Sequence, residues 1–223
     1  MRENENNVSA ENQLPRTNRI FYMGREDAPK KLLIVGNSIT RHGPAPSLGW
    51  EHDWGMAASA LDKDYVHLLQ SKLVADGKDV LTLVRHASNW ERTHMNEDAL
   101  NDFATEHEYA PDLILLRFGE NVPKDCDFDL FALKLREFID YINVKNSLVI
   151  VTTTVWNNHR KDDLLRALAE ERGYPCVELG EIGKHDDMMA IGLFEHHGVS
   201  IHPGDKGMQY IADTVYEELK KHI

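Results

Sequence analysis

The sequence predicts an α/β protein, with a mostly parallel five-stranded sheet and helices on both faces. Short apolar runs recur at residues 32–35, 80–84, 112–118, 148–151 and 175–179, each bounded by glycine, proline or charge. Runs of that length without alternation suit strands buried on both faces. Stretches with helical spacing separate them, and that alternation implies parallel strands joined by helical crossovers.

In chain order, residues 1–18 are rich in Asn and Glu and poor in aromatics, and read as a flexible arm. Residues 19–223 read as one domain, a size that commonly buries a single core. Ile20, Phe21 and Tyr22 could add a short edge strand before Gly24. The first buried strand, Leu32-Leu33-Ile34-Val35, stops at Gly36-Asn37-Ser38. Residues 41–61 form a long connection holding Gly43, Pro44, Pro46, Gly49 and Gly55, and loops of that length in compact domains are usually functional. Helices are expected over residues 64–75, 96–109, 130–141, 161–172 and 204–221, several of them closed by glycine or proline.

The hydrophobic fraction of 42% is sufficient for such a core. With 37 acidic against 25 basic residues the net charge is -12, which argues against nucleic acid or an anionic membrane as partner. The two cysteines, Cys126 and Cys176, have neither metal-ligand nor redox-pair spacing and suit a reducing compartment. The polar N-terminus lacks the apolar core of a signal peptide, and no apolar run reaches membrane-spanning length, so the expected location is cytoplasmic.

In an open α/β sheet, ligands bind beyond the carboxyl ends of the strands, where Ser38 lies. A serine on a tight turn after a strand exposes its hydroxyl and leaves backbone N–H groups free, although Asn37 and Ser38 would serve equally as loop or cap residues. Serine hydrolysis needs a nucleophile, an imidazole, an orienting group and N–H donors for the oxyanion. Ser38, Ala87 (through its backbone), Asn121 and His202 supply most of that set from separate strand ends and from the loop before the last helix, where His202 precedes Pro203 and Gly204.

On these residues the chain resembles the SGNH hydrolases, or GDSL esterases, from about Lys31 to the C-terminus. Gly36-Asn37-Ser38 matches the block with the nucleophile, with Asn37 in place of Asp. Ala87 stands nearest to the oxyanion-hole glycine, and Gly119-Glu120-Asn121 matches Gly-x-Asn-Asp with Val122 in place of the acid. His202-Pro203 matches the final block, but Val199 occupies the position of the triad acid. The resemblance implies a flavodoxin-like α/β/α sandwich and an acyl-enzyme mechanism, with His202 oriented by a backbone carbonyl or by another carboxylate, for which Glu195 is the nearest upstream candidate.

All four tryptophans, Trp50, Trp54, Trp90 and Trp156, follow strand ends, which suggests an aromatic substrate pocket suited to a sugar ester, although any one of them could simply pack a loop. Arg41, Arg85 and Arg117 lie near strand ends too; Arg41 is the candidate for binding an anionic substrate, with pairing to acids as the alternative. His185, Asp186, Asp187, His196 and His197 match no familiar metal motif, and no metal or other cofactor is expected. The reading is a serine esterase acting on a small, acetyl-type ester, with a non-catalytic carbohydrate-binding module on the same fold as the alternative and metal-assisted hydrolysis third. The expected partner is a small-molecule ester, with homo-oligomers left open.

Overall fold

The sheet has six strands in the order β1-β3-β2-β4-β5-β6 in the computed structural model, which describes residues 19–223. The arm expected over residues 1–18 lies outside the described residues. The strands are β1 (Ile20–Met23), β2 (Lys30–Gly36), β3 (Val80–His86), β4 (Leu113–Arg117), β5 (Leu148–Thr152) and β6 (Cys176–Val177). The five expected strands pair in parallel. The sixth, β1, is the edge strand that the sequence offers at Ile20-Phe21-Tyr22, and it runs antiparallel to β3.

The helices are α1 (Tyr65–Ala75), α2 (Ser88–Thr93), α3 (Ala104–Tyr109), α4 (Phe128–Ile142), α5 (His159–Arg172), α6 (His197–Ser200) and α7 (Asp205–Leu219). Side chains alternate across β2, so Leu32 and Ile34 pack on one face with Tyr65, Leu69 and Ile211, from α1 and α7. Leu33 and Val35 pack on the other with Trp90, Phe131 and Phe138, from α2 and α4. Burying each of these aliphatic side chains contributes roughly 1.5–3 kcal/mol. The result is the expected three-layer α/β/α sandwich. Among the described residues no helix is long and apolar enough to cross a membrane.

Local chemistry sets the helix ends. Asp64 caps α1 by accepting from the His67 N–H at 2.8 Å, and Gly173 closes α5 at φ 66°. The single helix expected over residues 96–109 shrinks to α3, preceded by a 3-10 turn at Asn101–Phe103. Helix α2, which is not among the helices expected from the sequence, begins directly after β3.

The connection after β2 is irregular but anchored. Its backbone bridges pair His42 with Trp54 and Ala45 with Trp50. Trp50 is fully buried there, and its indole N–H donates to the His42 carbonyl at 3.0 Å. The Met56 N–H donates to the Ser38 carbonyl at 2.8 Å, tying the loop to the turn that carries Ser38. From β2 the chain crosses to β3 on one side and later to β4 on the other, which puts that turn at a topological switch point.

Gly36 is required where β2 ends. A Cβ there would lie 1.8 Å from Thr40 Oγ1 and 2.8 Å from the Arg117 carbonyl. We expect Gly36→Ala to cost about 2 kcal/mol or more, read as a lowered Tm, because backbone must move to admit the methyl group. An unchanged Tm would show that the turn is softer than this packing indicates.

Candidate active site

Ser38 and His202, far apart in sequence, meet at the carboxyl edge of the sheet. Ser38 Oγ lies 2.7 Å from His202 Nε2. His202 Nδ1 lies 2.6 Å from the Gly198 carbonyl. A carbonyl only accepts, so Nδ1 carries the proton and Nε2 is left as the acceptor for the serine hydroxyl.

The turn that holds Ser38 is built by Asn37. Its carbonyl accepts from the N–H groups of Thr40 and Arg41 at 2.9 and 3.0 Å, while its Oδ1 accepts from the Ile39 N–H at 3.2 Å. No helix follows directly; the chain goes on into the long loop. Ser38 is half-buried, and its N–H is not among the donors that form this turn.

His202 is held by backbone on two sides. Short helix α6 brings the Gly198 carbonyl beneath the ring, and the His202 carbonyl accepts from the Ala190 N–H at 2.8 Å. Trp156 packs edge-on against the imidazole, with ring centroids 5.6 Å apart. Val199 is buried in a small apolar cluster with Trp50 and Met56. Glu195 is exposed and lines a neighbouring groove with Pro46, Leu48 and Phe194. The carbonyl arrangement is therefore the one present, and the Glu195 alternative is corrected.

The cleft over the pair has a volume of about 180 Å³, and Leu48, Met56 and Val199 supply its apolar wall. Ser88, Arg92, Asn121, His42 and His196 supply polar groups. Ala87 is a correction. Its N–H donates to the Gly36 carbonyl at 2.6 Å and is not available to an oxyanion. The next residue, Ser88, lines the cleft as the first residue of α2, where its N–H has no intrahelical acceptor. The Ser88 hydroxyl lies 2.9 Å from His86 Nε2.

Asn121 lies where the resemblance places it, in the cleft wall. Its amide nitrogen donates to Glu91 at 2.8 Å, and its Oδ1 accepts from Arg92 at 2.7 Å. Below lies a buried polar network. Asn37 Nδ2 donates to Glu120 at 2.6 Å, Asn37 Oδ1 accepts from Arg117 at 2.9 Å, and Arg117 pairs with Glu120. Burial raises the Glu120 carboxyl, but the Arg117 guanidinium and hydrogen bonds from Val155 and Asn37 outweigh it and hold it below the usual range. Burial, then the nearby Glu120, push the Glu91 carboxyl up to about 7.

None of the four tryptophans lines the cleft, which corrects the aromatic pocket. Trp50 and Trp54 pack the long loop, Trp90 lies in the core against Phe118 and Phe138, and Trp156 supports His202. The indole N–H groups of Trp50, Trp54 and Trp156 are taken by the carbonyls of His42, Ala58 and Ile201. Arg41 is also corrected, since its buried guanidinium pairs with Asp53 at 2.7 Å and lies over the Phe21 ring. Among the described residues no group of three or more His, Cys, Asp or Glu is placed to hold a metal ion.

Ser88, one residue beyond Ala87, is a cleft residue to which the sequence reading assigns no role, and a serine opening a polar segment after a strand was the available signal. Glu91 and Arg92 carried none, because a charged pair in a polar stretch ordinarily faces water.

Burial lowers the His202 pKa to about 4, against the Gly198 hydrogen bond that raises it. The ring is then neutral, and able to accept a proton, at any pH above about 5. An NMR titration is expected to show His202 protonating near pH 4, and a midpoint at or above 6.5 would contradict this environment.

No protein-family model and no curated protein matches the sequence. Solved structures do match. TesA superposes with a TM-score of 0.61 at 18% identity, covering 87% of this chain and 100% of its own. LAE5, an alpha/beta hydrolase enzyme from the metagenome of Lake Arreo, Spain, gives 0.58 at 20% identity, over 85% of this chain and 94% of its own. The acetyl xylan esterase AlAXEase gives 0.53 at 17% identity, over 85% and 99%. Similar matches from Desulfitobacterium hafniense and Veillonella parvula are described as proteins of the lipolytic G-D-S-L family. The chain thus has the fold of the GDSL, or SGNH, hydrolases.

Proposed function

We propose that this protein is a serine esterase that removes a small acyl group through a Ser38-His202 dyad. The observation that carries the reading is the chain of contacts from Ser38 Oγ to His202 Nε2 at 2.7 Å, and from His202 Nδ1 to the Gly198 carbonyl at 2.6 Å. Ser38 Oγ attacks the ester carbonyl carbon while its proton passes to Nε2. The tetrahedral oxyanion is received by the N–H groups of Ser38 and Ser88 and by Asn121 Nδ2. His202 then returns the proton to the leaving alkoxide, and water, deprotonated by the same imidazole, releases the acid from the acyl-enzyme.

The carbonyl partner fixes the tautomer, which is the larger part of what a triad acid does, but adds no negative charge beside the imidazolium. With burial as well, His202 is a weak base, and the oxyanion donors must supply a larger share of the stabilisation.

Two features support a small acyl group. The cleft holds only about 180 Å³, and its apolar wall is short. A wider groove of about 610 Å³ adjoins it at Leu48 and His196 and offers room for the alcohol portion. A sugar alcohol is in keeping with the fold shared with the acetyl xylan esterase, whereas the tryptophans lend it no support. The binding-module alternative took its argument from the missing acid at position 199, and the Gly198 carbonyl weakens it.

The test is hydrolysis of p-nitrophenyl acetate, butyrate and octanoate by wild type, Ser38→Ala and His202→Ala. Acetate is expected to be turned over best, with both variants losing about 10³-fold or more in kcat. Full activity in Ser38→Ala, or a wild type inert towards all three esters, would contradict the reading.

A further inference from the structure

We propose that Glu91 and Arg92, consecutive residues of α2, form a clamp that sets the orientation of the Asn121 amide and so positions the oxyanion donor. The inference rests on the esterase reading, within which both are positioning residues.

The two ends of the amide are held by groups of opposite capacity. Glu91 is fully buried, and its Oε2 accepts from Asn121 Nδ2 at 2.8 Å. Arg92 Nη2 donates to Asn121 Oδ1 at 2.7 Å. Both Glu91 oxygens are committed as acceptors, Oε1 to the Gly119 and Asn121 N–H groups and Oε2 to the Asn121 amide, and above about pH 7 the carboxylate has no proton to give, while a guanidinium has no lone pair to offer. A flipped amide would set oxygen against carboxylate and N–H against guanidinium, so only one orientation is compatible with both partners. In that orientation one Nδ2 hydrogen is held by Glu91, and the other remains for the substrate.

The backbone is held by the same carboxylate. Glu91 Oε1 accepts from the Gly119 N–H at 2.6 Å and from the Asn121 N–H at 3.2 Å. Two N–H groups of one short segment converge on a single oxygen, with Gly119 at φ 134°, a conformation that L side chains rarely adopt. Glu91 therefore fixes both the Cα of Asn121 and its amide, while Arg92, at the cleft wall, fixes the rotation about the last torsion. Neither residue has to touch substrate for its loss to misplace the donor.

A clamp that acts through Asn121 has nothing to act on once that side chain is gone. The experiment measures kcat and KM for p-nitrophenyl acetate in Glu91→Gln and Arg92→Ala, each in the wild-type and in the Asn121→Ala background, with Ser38→Ala as reference. Each single substitution is expected to lower kcat about 10- to 100-fold with KM nearly unchanged, as for a misplaced catalytic group. In the Asn121→Ala background the further loss is expected to fall to about 3-fold or less. Arg92→Lys, which keeps a donor, is expected to recover part of the loss. Should Glu91→Gln not fold, the exposed Arg92 variants carry the test alone.

Equal losses in both backgrounds would overturn the clamp, as would a rise in KM at constant kcat, which would mean that Arg92 binds substrate instead. Either result, with Ser38→Ala inactive, leaves the esterase reading standing. Activity surviving in Ser38→Ala, or an inert wild type, removes that reading and the clamp together.

Discussion

The site depends on one buried arrangement, the contact of Asn37 with both members of the Arg117–Glu120 ion pair. Asn37 opens the turn that carries Ser38, Arg117 ends β4, and Glu120 precedes Asn121 in the segment after β4. A buried ion pair is tolerable only when its remaining hydrogen-bonding capacity is satisfied. Here the amide serves both members, accepting from the guanidinium with Oδ1 and donating to the carboxylate with Nδ2, while Arg117 Nε alone of that guanidinium has no partner among the described residues. The Ser38 turn and the Asn121 segment are thereby locked to one another across the strand ends.

That constraint gives a physical reason for Asn at position 37, where the resembling family carries Asp. A carboxylate there would face the buried Glu120 carboxylate at hydrogen-bond distance, with Glu91 close by. Several acids around one guanidinium in a dry site repel strongly. Asn keeps the shape and the turn-forming Oδ1 while replacing the repulsion with a donor. A similar economy appears at His202, where the backbone carbonyl of Gly198 takes the place of a side-chain acid and the vacated position, Val199, packs as core.

Much of this was legible in the sequence, for identifiable reasons. Buried parallel strands announce themselves as short apolar runs, and Ser38, Asn121 and His202 follow glycine or precede proline at their ends. The limits are equally physical. Edge strand β1 shows only as the short apolar run Ile20-Phe21-Tyr22, and α2 is polar and short. Ala87 and Ser88 differ by one residue, and only the hydrogen bond from the Ala87 N–H to Gly36 separates them. The tryptophans misled because position after a strand end says nothing about which way a ring turns; each found packing, or a carbonyl for its N–H. Glu91 was invisible because a buried carboxylate depends on donors from another segment, Gly119 and Asn121.

The central claim is that Ser38 is a nucleophile activated by His202. Intact-mass and peptide analysis after treatment with a fluorophosphonate tests it most directly, because such a reagent traps an activated serine without any knowledge of the natural ester. The account predicts a single adduct on Ser38, formed far more slowly in His202→Ala. An adduct on Ser88, the other cleft serine paired with a histidine, or no adduct at all, would contradict it.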